Sequence, residues 1–357
     1  VIGASAGGVE TLRRVVAGLP ADLPAAVCIV LHVAPSSPSA LAKILDRAGP
    51  LPCRSACDGD WLRPGEILVA PPDRHLVVHD GRIRLTAGPR ENGHRPAVDA
   101  LFRSAATARG ARVVGVILSG TRDDGSVGMA AIKARGGATI VQDPDEALYP
   151  GMPASALANV AVDAVVPSTL VAETLTAMVN GEHAPAEAAP SPAGDHDSDS
   201  RPSDDHGDSP VGEADSDQPA REHRPSGEVL TTICPECGGV LGEREEAGVT
   251  HWECRVGHRY SPESLVNAQA QAVEGALWAA IRGLEDHGAL LERTASQLQR
   301  SGRTTSAQAL HHRASDICAQ AKAVRDAFAR TPLGTLSDAQ PERPDDAPHD
   351  PDEGAAR

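Results

Sequence analysis

No apolar run in this chain is long enough to cross a membrane. The longest, such as residues 113–118, fall far short of the ~20 residues a spanning helix needs. No basic-then-apolar leader opens the chain, because Gly-rich sequence follows Val1-Ile2 at once. These two absences predict no membrane insertion and no secretion. A basic charge balance is also missing. The 33 Lys+Arg face 49 Asp+Glu for a net charge of −16, which argues against a nucleic-acid binder that relies on general positive charge. A disulfide framework is missing too. The seven cysteines are an odd number, and Cys28, Cys53, Cys57 and Cys318 are scattered as ordinary small apolar residues, so the chain fits a reducing cytoplasm.

The acid that is present is concentrated. Residues 181–228 carry 13 Asp/Glu against 3 Arg, and residues 334–357 carry 7 against 2, leaving the rest of the chain close to neutral. Both segments are rich in Pro, Asp, Ser and Ala and nearly lack large apolar residues. They cannot bury enough surface to offset chain entropy and are expected to be a disordered linker (181–228) and tail (331–357). Such a linker also predicts that few contacts cross it, so that residues 1–180 act as a separate module.

Residues 1–180 alternate apolar strand-like runs with helical stretches. Residues 25–33 and 112–118 read as strands buried on both faces, 138–142 as another, and 164–166 as a strand stub. Helical spacing fits 9–19, 39–47, 97–109, 126–135, 153–159 and 170–179. Between 51 and 90 lie short strands with Pro and Gly between them, and Asp80-Gly81 is a hairpin signal. The alternation predicts an α/β fold: a doubly wound, mostly parallel sheet with helices on both faces. Beyond the linker the pattern predicts a small Cys/His module at 229–260 and an α-helical hairpin at 261–330. Ser261 reads as an N-cap with Pro262 at the first helical position. Leu265, Val273, Leu277, Ile281, Leu284, Leu291 and Leu298 form one apolar stripe, and Leu310, Ile317, Val324 and Phe328 form its counterpart.

Three strand ends in the first half carry reactive groups. Gly3-Ala4-Ser5-Ala6-Gly7-Gly8 lies between a strand and a helix but lacks the G-x-G-x-x-G of a dinucleotide site. Its small residues suit a tight turn that presents the Ser5 hydroxyl, with following backbone N–H groups placed where an oxyanion would form. His32 closes the next strand, and Asp123-Asp124-Gly125 follows the strand at 112–118. Functional groups gather at the carboxyl ends of parallel strands, and Ser, His and Asp together are the set needed for acyl transfer.

These residues resemble the CheB-type chemotaxis protein-glutamate methylesterases over about 1–180. The likeness runs through Ile2-Gly3-Ala4-Ser5-Ala6-Gly7-Gly8, Leu31-His32-Val33, Arg95-Pro96-Ala97-Val98-Asp99-Ala100-Leu101-Phe102 and Gly115-Val116-Ile117-Leu118-Ser119-Gly120. It continues in Asp124-Gly125, Gly128-Met129, Gln142-Asp143-Pro144 and Gly151-Met152-Pro153. The resemblance implies Ser5 as nucleophile, His32 as base and Asp124 as the orienting carboxylate, with no cofactor for catalysis. It implies hydrolysis of glutamyl methyl esters on the cytoplasmic helices of chemoreceptors, with methanol released, and in some members deamidation of receptor glutamines. It also implies chemotaxis signalling proteins as partners. Ala6 stands where many members have Thr, and Thr121 where many have Met. The phospho-receiver segment usual in the family does not precede this one. That leaves two readings open: a fragment, or an enzyme controlled by something other than receiver phosphorylation. A non-catalytic signalling scaffold and a serine esterase acting on another protein ester are the competing functions.

In the second half, Cys234-x2-Cys237 and Cys254-x3-His258 supply four ligands for a tetrahedral Zn2+. Four protein ligands leave no open position, so the metal is expected to be structural. A segment of ~30 residues cannot build a sufficient core without such a staple. The same residues, with Ala276-Leu277-Trp278 further on, are similar to a C-terminal extension found on some CheB-like proteins.

Overall fold

The computed structural model describes residues 1–36, 40–181 and 232–330; the predicted acidic linker (but for residue 181), the tail and the start of the predicted 39–47 helix lie outside the described residues. The first half contains β1 (Ile2–Ala4), α1 (Gly8–Gly18), β2 (Val27–Leu31), α2 (Leu41–Asp46), β3 (Cys53–Ser55), β4 (Ile67–Val69), β5 (His75–His79), β6 (Arg82–Thr86) and α3 (Val98–Arg109). It continues with β7 (Val114–Ile117), α4 (Ser126–Ala134), β8 (Ala138–Gln142), α5 (Gly151–Asn159), β9 (Ala164–Val166) and α6 (Val171–Val179). Seven strands form one sheet in the order β3-β4-β2-β1-β7-β8-β9, and every pairing is parallel. β5 and β6 stand apart as a hairpin turned by Asp80-Gly81, both with positive φ (48° and 77°), the backbone a two-residue type I′ turn requires. β3 has no counterpart among the expected elements. Its Cys-Arg-Ser sequence buries only Cys53, so an edge strand this short leaves no apolar run to read.

The continuous apolar runs are explained by a core on each side of the sheet. Along β2, Val27, Ile29 and Leu31 face a cluster that includes Leu12, Val15 and Val16 of α1 and Leu175 of α6. Cys28 and Val30 face the opposite cluster, which holds Leu101 and Phe102 of α3 and Met129 and Ile132 of α4. Each such side chain, taken fully out of water, contributes about 1.5–3 kcal/mol. The crossing of α3 and α4 depends on Gly128. A Cβ there would lie 2.5 Å from Phe102 Cβ and 3.1 Å from Asp99 Oδ1. Gly128→Ala is therefore expected to lower stability by about 1–3 kcal/mol, seen as a lower midpoint in thermal unfolding.

The second half has β10 (Leu241–Glu246), β11 (Val249–Cys254) and β12 (Arg259–Tyr260), an antiparallel sheet in that order, then α7 (Pro262–Arg300) and α8 (Thr304–Arg330). Among the described residues its small sheet has a core of Cys234, Leu241, Cys254, Tyr260 and Leu265, with Trp252 and Ala268 packed against it. The helices pair as a hairpin whose seam includes Ile281 of the predicted stripe and is otherwise made of small residues. Beyond residue 267 the buried positions are Ile281, Gly288 and Ala295 on one helix and Ala307, Ala314 and Ala321 on the other, spaced seven apart, while Val273 is 49% exposed. Small side chains let the two backbones approach, and the larger stripe residues flank that contact.

The expectation of few contacts between the halves does not hold. Val249 of β11 belongs to the same core cluster as Phe102 and Met129. Arg103 reaches both Glu91 (2.7 Å) and Glu246 (3.6 Å), and the Asn92 amide donates to the Arg259 carbonyl (2.8 Å). Ser261 occupies the N-cap position of α7, yet its side chain makes no capping bond. Asp123 of the first half caps this helix instead, accepting from the backbone N–H groups of Glu263 (3.0 Å) and Ser264 (3.4 Å) and from the Ser264 hydroxyl. Linker composition cannot report this, because the contacts are made by residues far from the linker on both sides.

Candidate active site

β1 is flanked by β2 on one side and β7 on the other, so the chain reverses direction across the sheet there, where α/β folds place their sites. Ser5 follows β1, His32 follows β2, and Asp124 lies in the loop after β7. Ser5 is held by its own amide, which donates to the Ser119 carbonyl (3.0 Å), and by its carbonyl, which accepts from Gly8 N–H (3.0 Å). The turn between them needs Gly7. Its φ is 73°, and a Cβ there would stand 2.8 Å from Ser119 Oγ. The Ser119 hydroxyl itself donates to the Ala6 carbonyl (2.9 Å).

The three side chains meet in a line. Ser5 Oγ lies 3.0 Å from His32 Nδ1, and His32 Nε2 lies 2.7 Å from Asp124 Oδ2. A carboxylate at that distance requires a donor, which assigns the proton to Nε2 and leaves the Nδ1 lone pair to accept the serine hydroxyl. Asp124 also accepts from the backbone N–H groups of Val98 (2.7 Å) and Asp99 (3.1 Å), the first two residues of α3, and from Asn92 Nδ2 (2.8 Å). Burial by itself would raise this carboxyl. The bond from His32, the charge of His32 and the Val98 amide outweigh it and hold the group below the usual carboxylate range. Asp99 moves the opposite way, pushed well up by burial and then by the charge of Asp124.

His94 stacks on His32, with ring centroids 3.7 Å apart and planes 10° from parallel. Burial, and then the charge of His32, push His94 down to about 3, so it stays neutral and the stack adds no repulsion when His32 takes a proton. His75 is structural, with Nε2 2.9 Å from the Pro89 carbonyl and Nδ1 accepting from the Ala97 amide (3.3 Å). Reasoning from sequence alone did not find the roles of Asn92 or Asp123. Glu91-Asn92-Gly93 reads only as a turn, and Asp123 reads as the neighbour of the residue that matters.

The Cys/His cluster lies in the second half. The ligand atoms of Cys234, Cys237, Cys254 and His258 all lie within 4.8 Å of one another. Cys237 Sγ is 3.6 Å from Cys254 Sγ, and His258 Nδ1 is 3.5 Å from Cys254 Sγ and 3.7 Å from Cys234 Sγ. A tetrahedral Zn2+ with ordinary bond lengths separates its ligands by about 3.5–3.8 Å, so the donor set and its spacing fit the ion. His258 Nε2 faces Glu236 (3.2 Å), the outer carboxylate that orients a ligating imidazole. His251 is not part of the cluster.

The CheB methylesterase family matches residues 1–175. A protein-glutamate methylesterase/protein-glutamine glutaminase 2 of Xanthomonas oryzae pv. oryzae (strain MAFF 311018) is 43% identical over 181 residues, 50% of this chain and 50% of that protein. A protein-glutamate methylesterase/protein-glutamine glutaminase of Symbiobacterium thermophilum is 41% identical over 180 residues, again half of each. The chain thus spans about half the length of the curated relatives it matches. The crystal structure of the Thermotoga maritima CheB methylesterase catalytic domain aligns at 33% identity and a TM-score of 0.48, covering 50% of this chain and 96% of that one. The matched segment contains the whole parallel sheet and all three strand-end residues, and residues 1–175 of the chain form a CheB methylesterase domain.

Proposed function

We propose that the chain is a protein-glutamate methylesterase that hydrolyses glutamyl methyl esters on the cytoplasmic helices of chemoreceptors. The observation that carries this reading is the Ser5–His32–Asp124 line at three adjoining strand ends, within the segment matched by the family. Ser5 Oγ attacks the ester carbonyl carbon while His32 Nδ1 takes its proton. The N–H groups of Ala6 and Gly7, on the turn at the start of α1, face the developing oxyanion. His32 returns the proton to the departing methoxide, and methanol leaves. A water, deprotonated by His32, then cleaves the acyl-serine and restores the enzyme with a free glutamate. Asp124 keeps the proton on Nε2 and stabilises the imidazolium throughout. The names of the relatives favour a second reaction at the same site, deamidation of receptor glutamines, in which ammonia replaces methanol as leaving group. The test is incubation with a methylated receptor. Methanol release is expected, and none from an equally folded chain would leave the scaffold reading. Among the described residues no helix is long and apolar enough to cross a membrane.

The Cys/His cluster is assigned, as part of the same proposal, to one structural Zn2+ held by Cys234, Cys237, Cys254 and His258. The ion supplies folding energy to a sheet whose own core is small. Elemental analysis of the purified chain is expected to find about one zinc per chain. Cys254→Ser is expected to lose it, together with the amide-exchange protection of residues 241–254. A metal-free protein with that protection intact would refute the assignment.

A further inference from the structure

Asn92 is 3% exposed, and its side chain uses both its donors and both its acceptor positions. Its Nδ2 donates to Asp124 Oδ1 (2.8 Å) and to Asp99 Oδ2 (2.9 Å). Its Oδ1 accepts from the backbone N–H of Ser261 (2.8 Å) and from the Ser261 hydroxyl (2.9 Å). Its own amide donates to the Arg259 carbonyl (2.8 Å), and its backbone sits in the left-handed region at φ 52°. The amide can face only one way. Turned over, it would set its oxygen against two carboxylates and its NH2 against two donors.

We propose that Asn92 is a positioning residue for Asp124, and that Ser261 of the C-terminal module holds it in that role, so the triad of this chain is completed by residues outside the matched catalytic segment. The inference rests on the hydrolase reading above and deepens it. Asn92 binds one oxygen of the carboxylate whose other oxygen takes the His32 proton, so its place sets the direction in which Asp124 faces the imidazole. Without Ser261 the Asn92 oxygen loses both donors, and the amide is held from its Nδ2 side alone. A second link runs beside the first. Asp123, the residue before Asp124, is 3% exposed and takes all its α7 partners from the module, the N–H groups of Glu263 and Ser264 and the Ser264 hydroxyl. Undocking the module would take these donors from that carboxylate and leave the α7 N-terminus without its cap. The module and the triad are therefore linked thermodynamically through two consecutive residues of one loop. An event that loosens the module changes the reactivity of Ser5 without touching it.

The experiment uses the full chain as wild type, Ser261→Ala, Ser261→Thr, Asn92→Ala and the Asn92→Ala/Ser261→Ala double variant. Two quantities are read: the second-order rate at which a fluorophosphonate labels Ser5, with Ser5→Ala as blank, and the low-field proton resonance of His32 Nε2–H. Ser261→Ala is expected to slow labelling about 5-fold and to move the resonance, and Ser261→Thr, which keeps the hydroxyl, to restore both. Asn92→Ala is expected to slow labelling by about tenfold or more. The double variant should be no slower than Asn92→Ala, because both substitutions break one chain of contacts. Wild-type labelling and an unmoved resonance in Ser261→Ala would overturn the proposal, as would independent effects that multiply in the double variant. Should Asn92→Ala fail to fold, the Ser261 pair still decides. Absence of Ser5-dependent labelling in the wild type would refute the hydrolase reading instead, and the resonance of Ser261→Ala would still test the positioning.

Discussion

Alanine at position 5 is expected to lower the rate of ester hydrolysis by about 10⁴-fold or more, with the fold intact. The attacking atom is then gone, and the neighbouring Ser119 hydroxyl cannot replace it. Ser119 is fully buried, and its Oγ already donates to the Ala6 carbonyl (2.9 Å) and accepts from the Tyr149 amide (3.1 Å). The residual rate comes from the oxyanion donors and from water, a contribution of roughly 10³–10⁴ over the uncatalysed reaction in systems of this kind. Stability should barely move. Ser5 Oγ bonds to His32 alone among the described residues, and His32 keeps its bond to Asp124, so the loss is about 1 kcal/mol at most. Methanol release and a thermal melt, measured on the same preparation, separate the two effects. An active Ser5→Ala variant would mean that another group attacks.

Asp124→Asn is expected to be nearly as damaging, by about 10⁴-fold in turnover, and to cost stability as well. The carboxylate accepts from four donors: His32 Nε2 and the Val98 amide on Oδ2, and Asn92 Nδ2 and the Asp99 amide on Oδ1. An asparagine offers one accepting oxygen, so two of the four donors must face its NH2. If the NH2 turns to His32, it forces the ring into the other tautomer, with its proton on Nδ1 pointing at Ser5, and the base is lost. If it turns to Asn92 and Asp99, the tautomer survives, but two buried donors go unpaired at about 1–3 kcal/mol each. The low-field resonance of His32 distinguishes the two orientations, and a fall in turnover without that resonance is the expected outcome. Wild-type turnover in this variant would show that the carboxylate charge is not used.

Much of this site was legible because its parts are local. A strand buried on both faces must be apolar at every position, which marked 25–33 and 112–118 and so put His32 and the Asp123-Asp124 pair at strand ends. A tight strand-to-helix turn needs small residues, which marked Ser5. Four metal ligands on two short knuckles need close spacing, which marked Cys234, Cys237, Cys254 and His258. Where a partner lies far along the chain, the local pattern named the position but not the bond. Ser261 stands at the start of α7 as its sequence suggests, yet its hydroxyl turns to Asn92, 169 residues away, and the cap comes from Asp123. The small residues of the hairpin seam were not legible for another reason. An apolar stripe counts large residues, whereas close backbone approach selects Gly288, Ala295, Ala307, Ala314 and Ala321 for their smallness.

The sequence by itself therefore determined the parallel α/β architecture, the three strand-end side chains and the four clustered ligands, since each follows from the period of a strand, the sterics of a turn or the reach of a knuckle. Only the tertiary structure decided which imidazole nitrogen faces Ser5, that His94 stacks on His32, and that Asn92 and Asp123 tie the triad loop to the C-terminal module. Those outcomes depend on hydrogen bonds and ring contacts between residues 27 to 169 positions apart. A buried donor takes whichever acceptor the packed chain brings to it, and that pairing leaves no period or spacing in the sequence.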